Sequence, residues 1–81
     1  MSRRRFLCLD CNIDTGREHE FYVLIDPVWL QANPRHAGML CIGCVEERLG
    51  RTLTAQDFAP VYINRPGTRP QSSRLLSRMA T

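Results

Sequence analysis

A chain of 81 residues holds one domain at most, and one this short draws little net stability from its own core. Eleven arginines, with no lysine, face eight acids for a net charge of +3, yet the signs are segregated. Residues 8–64 carry four arginines against all eight acids, whereas residues 1–7 and 65–81 carry three and four arginines and no acid, which argues against a folded basic face as the main electrostatic footprint.

Residues 1–7, with Arg3, Arg4 and Arg5, read as a basic arm leading into the first motif, Cys8-Leu9-Asp10-Cys11. No apolar run of signal length follows the arm, and stretches such as Tyr22-Val23-Leu24-Ile25 are far too short to span a bilayer. These features predict a cytoplasmic chain with reduced thiols. Asn12 follows the first pair, where a knuckle needs a left-handed residue and Asn supplies it at low cost. Asp14-Thr15-Gly16 reads as a turn. Glu20 to Ile25 is rich in aromatic and β-branched residues and predicts a strand, with Phe21, Val23 and Ile25 on one face. Asp26-Pro27 is a helix start, with Asp as N-cap and Pro at the first helical position. A short helix is predicted through Ala32 and is ended by Asn33-Pro34.

The second pair, Cys41-Ile42-Gly43-Cys44, opens a helix that runs to Leu49. Glu46 and Glu47 come early, Arg48 near the end and Gly50 just beyond, an order that suits the helix dipole and a glycine C-cap. Thr54 to Asp57 resembles a capping box and predicts one more helical turn, stopped by Pro60. Val61-Tyr62-Ile63 reads as a short edge strand. From Arg65 onward Pro, Gly, Ser, Thr, Gln and Arg dominate, which predicts a basic, disordered tail over 65–81. Its Ser72–Met79 stretch has near-helical spacing that suits folding against a partner.

The chemistry lies in Cys8, Cys11, Cys41 and Cys44, two Cys-x2-Cys pairs twenty-nine residues apart. Two intervening residues let a tight turn aim both sulfurs at one ion, and two such pairs complete a tetrahedron with no position left for water. The expectation is one structural Zn2+ ion that staples a domain too small to fold alone. Two disulfides or four buried thiols are the alternatives, and a rubredoxin-like iron site uses the same ligands. His19 and His36 are alternative ligands in principle and read as surface residues, since four thiolates already satisfy zinc. A knuckle, a strand region and a helix-borne pair, in that order, predict a small α+β zinc-bound domain over 8–64 with a treble-clef-like finger. A zinc ribbon is the competing architecture. Trp29 reads as a cap on the small core, with a partner-binding anchor as the sharper alternative.

The segment from Met39 to Arg51, with Leu53-Thr54, Asp57-Phe58, the first cysteine pair, Asp14-Thr15, the Trp29 region and Ile63-Asn64, resembles small uncharacterised proteins of actinobacterial phages. The resemblance implies a viral origin in a GC-rich host, which fits the absence of lysine, and implies no activity. A fainter resemblance, carried by the two pairs and by Leu40-Cys41-Ile42-Gly43-Cys44, is to HNH endonucleases. Their Asp-His pair followed by an apolar residue and Pro is missing, so the acid–base constellation is incomplete.

Together these features predict a non-enzymatic zinc module of unknown biological role, an adaptor that binds a host or phage protein through an acidic body, with no small-molecule substrate. Nucleic-acid binding by the basic ends, through Arg3, Arg4, Arg5, Arg65, Arg69, Arg74 and Arg78, is the runner-up. A degenerate HNH-like nuclease is a third reading.

Overall fold

The apolar residues come in runs too short for long elements, and the described residues fold as three short α-helices joined by closely tied loops. The structure is a computed structural model that describes residues 6–35 and 37–81. Helix α1 spans Asp26–Ala32, α2 spans Ile42–Leu49 and α3 spans Ser73–Met79. Single 3-10 turns lie at Ala55–Asp57 and Tyr62–Asn64.

Local chemistry explains most boundaries. Pro27 lies in the first turn of α1, where its missing N–H costs nothing. Ile25 rather than Asp26 takes the cap position, so the acid is the first helical residue. Helix α2 ends on Gly50, whose φ of 75° is the left-handed conformation that glycine adopts at least cost. Asn12, at φ 68°, takes the left-handed turn expected of it in the first knuckle. Around Thr54 the capping box forms, with its backbone N–H donating to Asp57 Oδ2 at 2.8 Å.

Two predicted strands give way to other structure. Glu20 to Ile25 is extended, but among the described residues it makes one isolated antiparallel bridge, Leu24 to Phe58. The alternation survives with the opposite face inward: Glu20, Tyr22 and Leu24 are buried and Val23 is exposed. Two bonds set this register. Tyr22 Oη donates to the Leu40 carbonyl at 2.6 Å, and Glu20 meets the start of α2. The place of a partner strand is taken by Asn64, whose side chain accepts from Val23 N–H and donates to the Val23 and Ala59 carbonyls. Holding Asn64 there curls Tyr62–Asn64 into a 3-10 turn, where an edge strand was expected.

The tail is the larger correction. Predicted to be disordered, it carries α3, capped by Ser72 Oγ, which accepts from Leu75 N–H at 3.0 Å. Leu75 is 1% exposed and joins a core that includes Tyr22, Leu24, Val28, Leu40, Ile42, Val45 and Leu53. Composition alone missed this because the tail's order depends on acids located far away in the chain. No helix among the described residues is long and apolar enough to cross a membrane.

Candidate metal centre

Backbone pairing brings the two cysteine pairs together. Cys8 and Met39 form a parallel bridge, and Leu9 N–H donates to the Met39 carbonyl at 2.8 Å, laying the first knuckle beside the segment that enters the second. The first knuckle closes on itself through Asn12 N–H to Cys8 O at 2.9 Å and Cys8 N–H to Ile13 O at 2.8 Å. Asp14 Oδ1 accepts from Gly16 and Arg17 N–H, and Thr15, fully buried, donates from Oγ1 to Phe6 O at 2.6 Å. In the second knuckle Cys41 is the N-cap of α2 and Cys44 lies in its first turn.

The result is a cluster of four sulfurs, all within 4.8 Å of one another. Cys11 Sγ and Cys41 Sγ are 3.7 Å apart. Metal–sulfur bonds of about 2.3 Å in a tetrahedron place sulfurs about 3.8 Å apart, whereas a disulfide needs about 2 Å. All four cysteines are free thiols, with Cys8 and Cys41 buried, Cys44 half-buried and Cys11 exposed. They are positioned to hold a metal ion.

The proton chemistry of the cluster points the same way. Burial pushes the Cys8 thiol up, but backbone N–H groups of Cys11, Cys41 and Asp10 outweigh it and bring its pKa down to about 6. Cys41 and Cys44 are raised, in both cases first by burial; at Cys44 the neighbouring sulfurs add to the effect. Four thiolates at this spacing repel one another, so full ionisation calls for a cation among them.

Two salt bridges buttress the cluster. Arg48, expected only to favour the helix dipole, grips Asp10 of the first knuckle with Nη2 at 2.7 Å and Nε at 3.0 Å. Its Nη1 donates to the Ala32 carbonyl at the end of α1, at 3.1 Å. One side chain thus ties the first knuckle and α1 to the helix that bears the second pair. Glu20 is 5% exposed, and its Oε1 accepts from the N–H of Ile42, the first residue of α2, at 3.1 Å. The same carboxylate accepts from Arg74 Nη2 at 2.8 Å, Arg74 Nε at 3.0 Å and Ser72 Oγ at 2.9 Å. Burial raises the Glu20 pKa, but Arg74, the Ile42 N–H and Ser72 together outweigh it and hold the carboxyl below its ordinary range. Sequence reasoning assigned Glu20 no role, because its partners lie 22, 52 and 54 residues away and leave no local signal.

The remaining candidates separate. His19 has φ 58°, is exposed, and is not part of the sulfur cluster; its carbonyl accepts from Ser72 N–H at 2.9 Å. His36, Arg3, Arg4 and Arg5 lie outside the described residues. Of the four tail arginines, Arg74 pairs with Glu20 and Arg78 with Glu46. Arg65 and Arg69 have no acidic partner among the described residues and stand 5.9 Å over the Tyr62 ring and 6.0 Å over the Phe21 ring. Trp29 is partly buried against the core and also lines an open, mainly apolar groove of about 640 Å³ with Phe6, Phe21, Val23 and Met39. No protein-family model, curated protein or solved structure matches this chain, so no relative lends it a fold name or an activity.

Proposed function

We propose that the chain is a non-enzymatic module built on one structural Zn2+ ion held by Cys8, Cys11, Cys41 and Cys44, and that it works as an adaptor for a protein partner. The observation that carries the reading is the closed four-sulfur cluster, whose spacing suits a tetrahedral ion. Four protein ligands leave no open position, which is the pattern of a structural site. We read the arrangement as treble-clef-like, with a loop knuckle followed by a pair at a helix N-terminus. The short strands of that fold are reduced to isolated bridges among the described residues. A phage setting, taken from the sequence resemblance, belongs to the same proposal.

The acidic body and the apolar groove beside Trp29 favour protein over nucleic acid as the partner. A second reading rests on Arg65 and Arg69: guanidinium groups without acid partners beside aromatic rings suit single-stranded nucleic acid. The tests are metal analysis of the purified chain and recovery of its partner with and without nuclease. One zinc per chain and one stoichiometric protein that resists moderate salt are expected. A metal-free, well-folded chain overturns the zinc reading. Salt-dependent DNA binding lost in Arg65→Ala/Arg69→Ala moves the function to the second reading.

A further inference from the structure

We infer that Arg74 is a positioning residue for the metal centre, held by Glu20 against the turn between Cys41 and Cys44, so that metal binding and the docking of α3 are coupled. The inference rests on the four-sulfur metal reading and deepens it. Its basis is a junction where three parts of the chain meet. Glu20 Oε1 accepts both from Ile42 N–H, inside the second Cys-x2-Cys turn, and from Arg74 Nη2 on α3. Arg74 Nη1 lies where a side chain on Gly43 would be: a Cβ there would come within 2.8 Å of it. Gly43 is the middle of the second knuckle and is not at a positive φ, so the backbone conformation does not demand glycine. Its absent side chain instead opens the seat for the guanidinium.

The electrostatic reason is direct. A divalent ion with four thiolates carries a net charge of −2, and a guanidinium laid on the ligand-bearing turn offsets it at short range. Glu20 fixes the orientation of that guanidinium through its Nε and Nη2 atoms, leaving Nη1 toward Gly43. Arg74 is held above its ordinary range first by Glu20, with Cys41 among the further contributors. Anything that binds better when Arg74 is seated also stabilises the seat, because the two equilibria share one free energy. Arg78 offers the internal contrast: it clamps α3 to Glu46 of α2, at 2.7 Å and 3.2 Å, and its hydrogen bonds among the described residues go to that carboxylate rather than to the knuckle.

The test compares the full-length chain with Arg74→Gln, Arg74→Lys, Gly43→Ala and Arg78→Gln, each titrated with Zn2+ against a chromophoric chelator and with Co2+ for its thiolate charge-transfer band. Loss of an outer partner of a metal site lowers affinity by about 10–100-fold, and Arg74→Gln is expected to fall in that range and to shift the Co2+ band. Arg74→Lys should recover part of the affinity by restoring the charge. Gly43→Ala favours helix yet blocks the seat, so it should weaken the metal without melting α2. Arg78→Gln loosens α3 but keeps the guanidinium of Arg74, so it should expose the 65–72 segment to protease while lowering metal affinity less than Arg74→Gln does, with the Co2+ band unmoved. Equal metal loss in Arg74→Gln and Arg78→Gln with no spectral change, or an Arg74→Gln chain that matches wild type in affinity and spectrum, overturns the coupling alone. A wild-type chain that takes up no metal at all overturns the centre and the coupling together.

Discussion

The sulfur cluster and the α3 clasp both tie distant parts of this chain together, and they do so by opposite means. The cluster joins residues about thirty positions apart through four ligand atoms within 4.8 Å, in a region that also has backbone bridges and the Arg48–Asp10 pair. The clasp joins α3 to carboxylates 54 and 32 positions earlier in the chain through two arginine pairs, with one buried leucine beside them. The lesson is one of scale. The core is small for holding the knuckles by burial alone, so on the proposed reading their order is expected to depend on an ion held by the four sulfurs. Helix α3 adds one more buried side chain to an existing core, so ordinary packing and charge suffice.

The largest effect is expected at the cluster. Structural zinc sites contribute about 10–16 kcal/mol of apparent binding free energy, more than a chain this size has to spare. Cys41→Ser or a strong chelator should therefore abolish the helical circular dichroism and the dispersed NMR spectrum. Thiols must give up their protons to bind a metal, so metal uptake at pH 7 should release protons, measurable by calorimetry in buffers of different ionisation enthalpy.

Leu75→Ala comes next. Emptying a fully buried leucine site costs about 2–5 kcal/mol, which should free α3 to hydrogen exchange and, by unseating Arg74, weaken but not abolish metal binding at the knuckles. If the knuckles melt as well, the two regions form one cooperative unit and the contrast fails.

Glu20→Gln is expected to cost about 1–3 kcal/mol, since Arg74 loses its anion and Ile42 N–H its charged acceptor. Acid should act through the same groups. Glu20 and Glu46 have folded-state pKa values below their ordinary 4.5, so the stability they provide is present above that pH and lost as pH falls through the lower folded values. The protection of α3 amides against hydrogen exchange, relative to the intrinsic rate at each pH, should fall below about pH 4.5, under conditions where metal loss is followed separately by the Co2+ band.

The smallest effect belongs to a local device, the capping box that opens the 3-10 turn on which α3 packs. Thr54→Ala there should cost about 1 kcal/mol in urea unfolding, without altering metal affinity.

Features set by residues near in sequence were legible from the start. Each Cys-x2-Cys turn, Asn12 in its left-handed conformation, the Pro27 start of α1, the Gly50 stop of α2 and the Thr54–Asp57 box follow from backbone sterics and from hydrogen bonds a few residues long. The face that Tyr22 and Leu24 turn inward, the replacement of a partner strand by Asn64, the work of Arg48 and the order of the tail were set by contacts between distant residues. Arginines in a polar tail look alike in sequence; Arg74 and Arg78 differ from Arg65 and Arg69 only because folding brings Glu20 and Glu46 to them. Ligand spacing is local and can be read from sequence, whereas the partner of a long-range charge exists only once the chain has closed on itself.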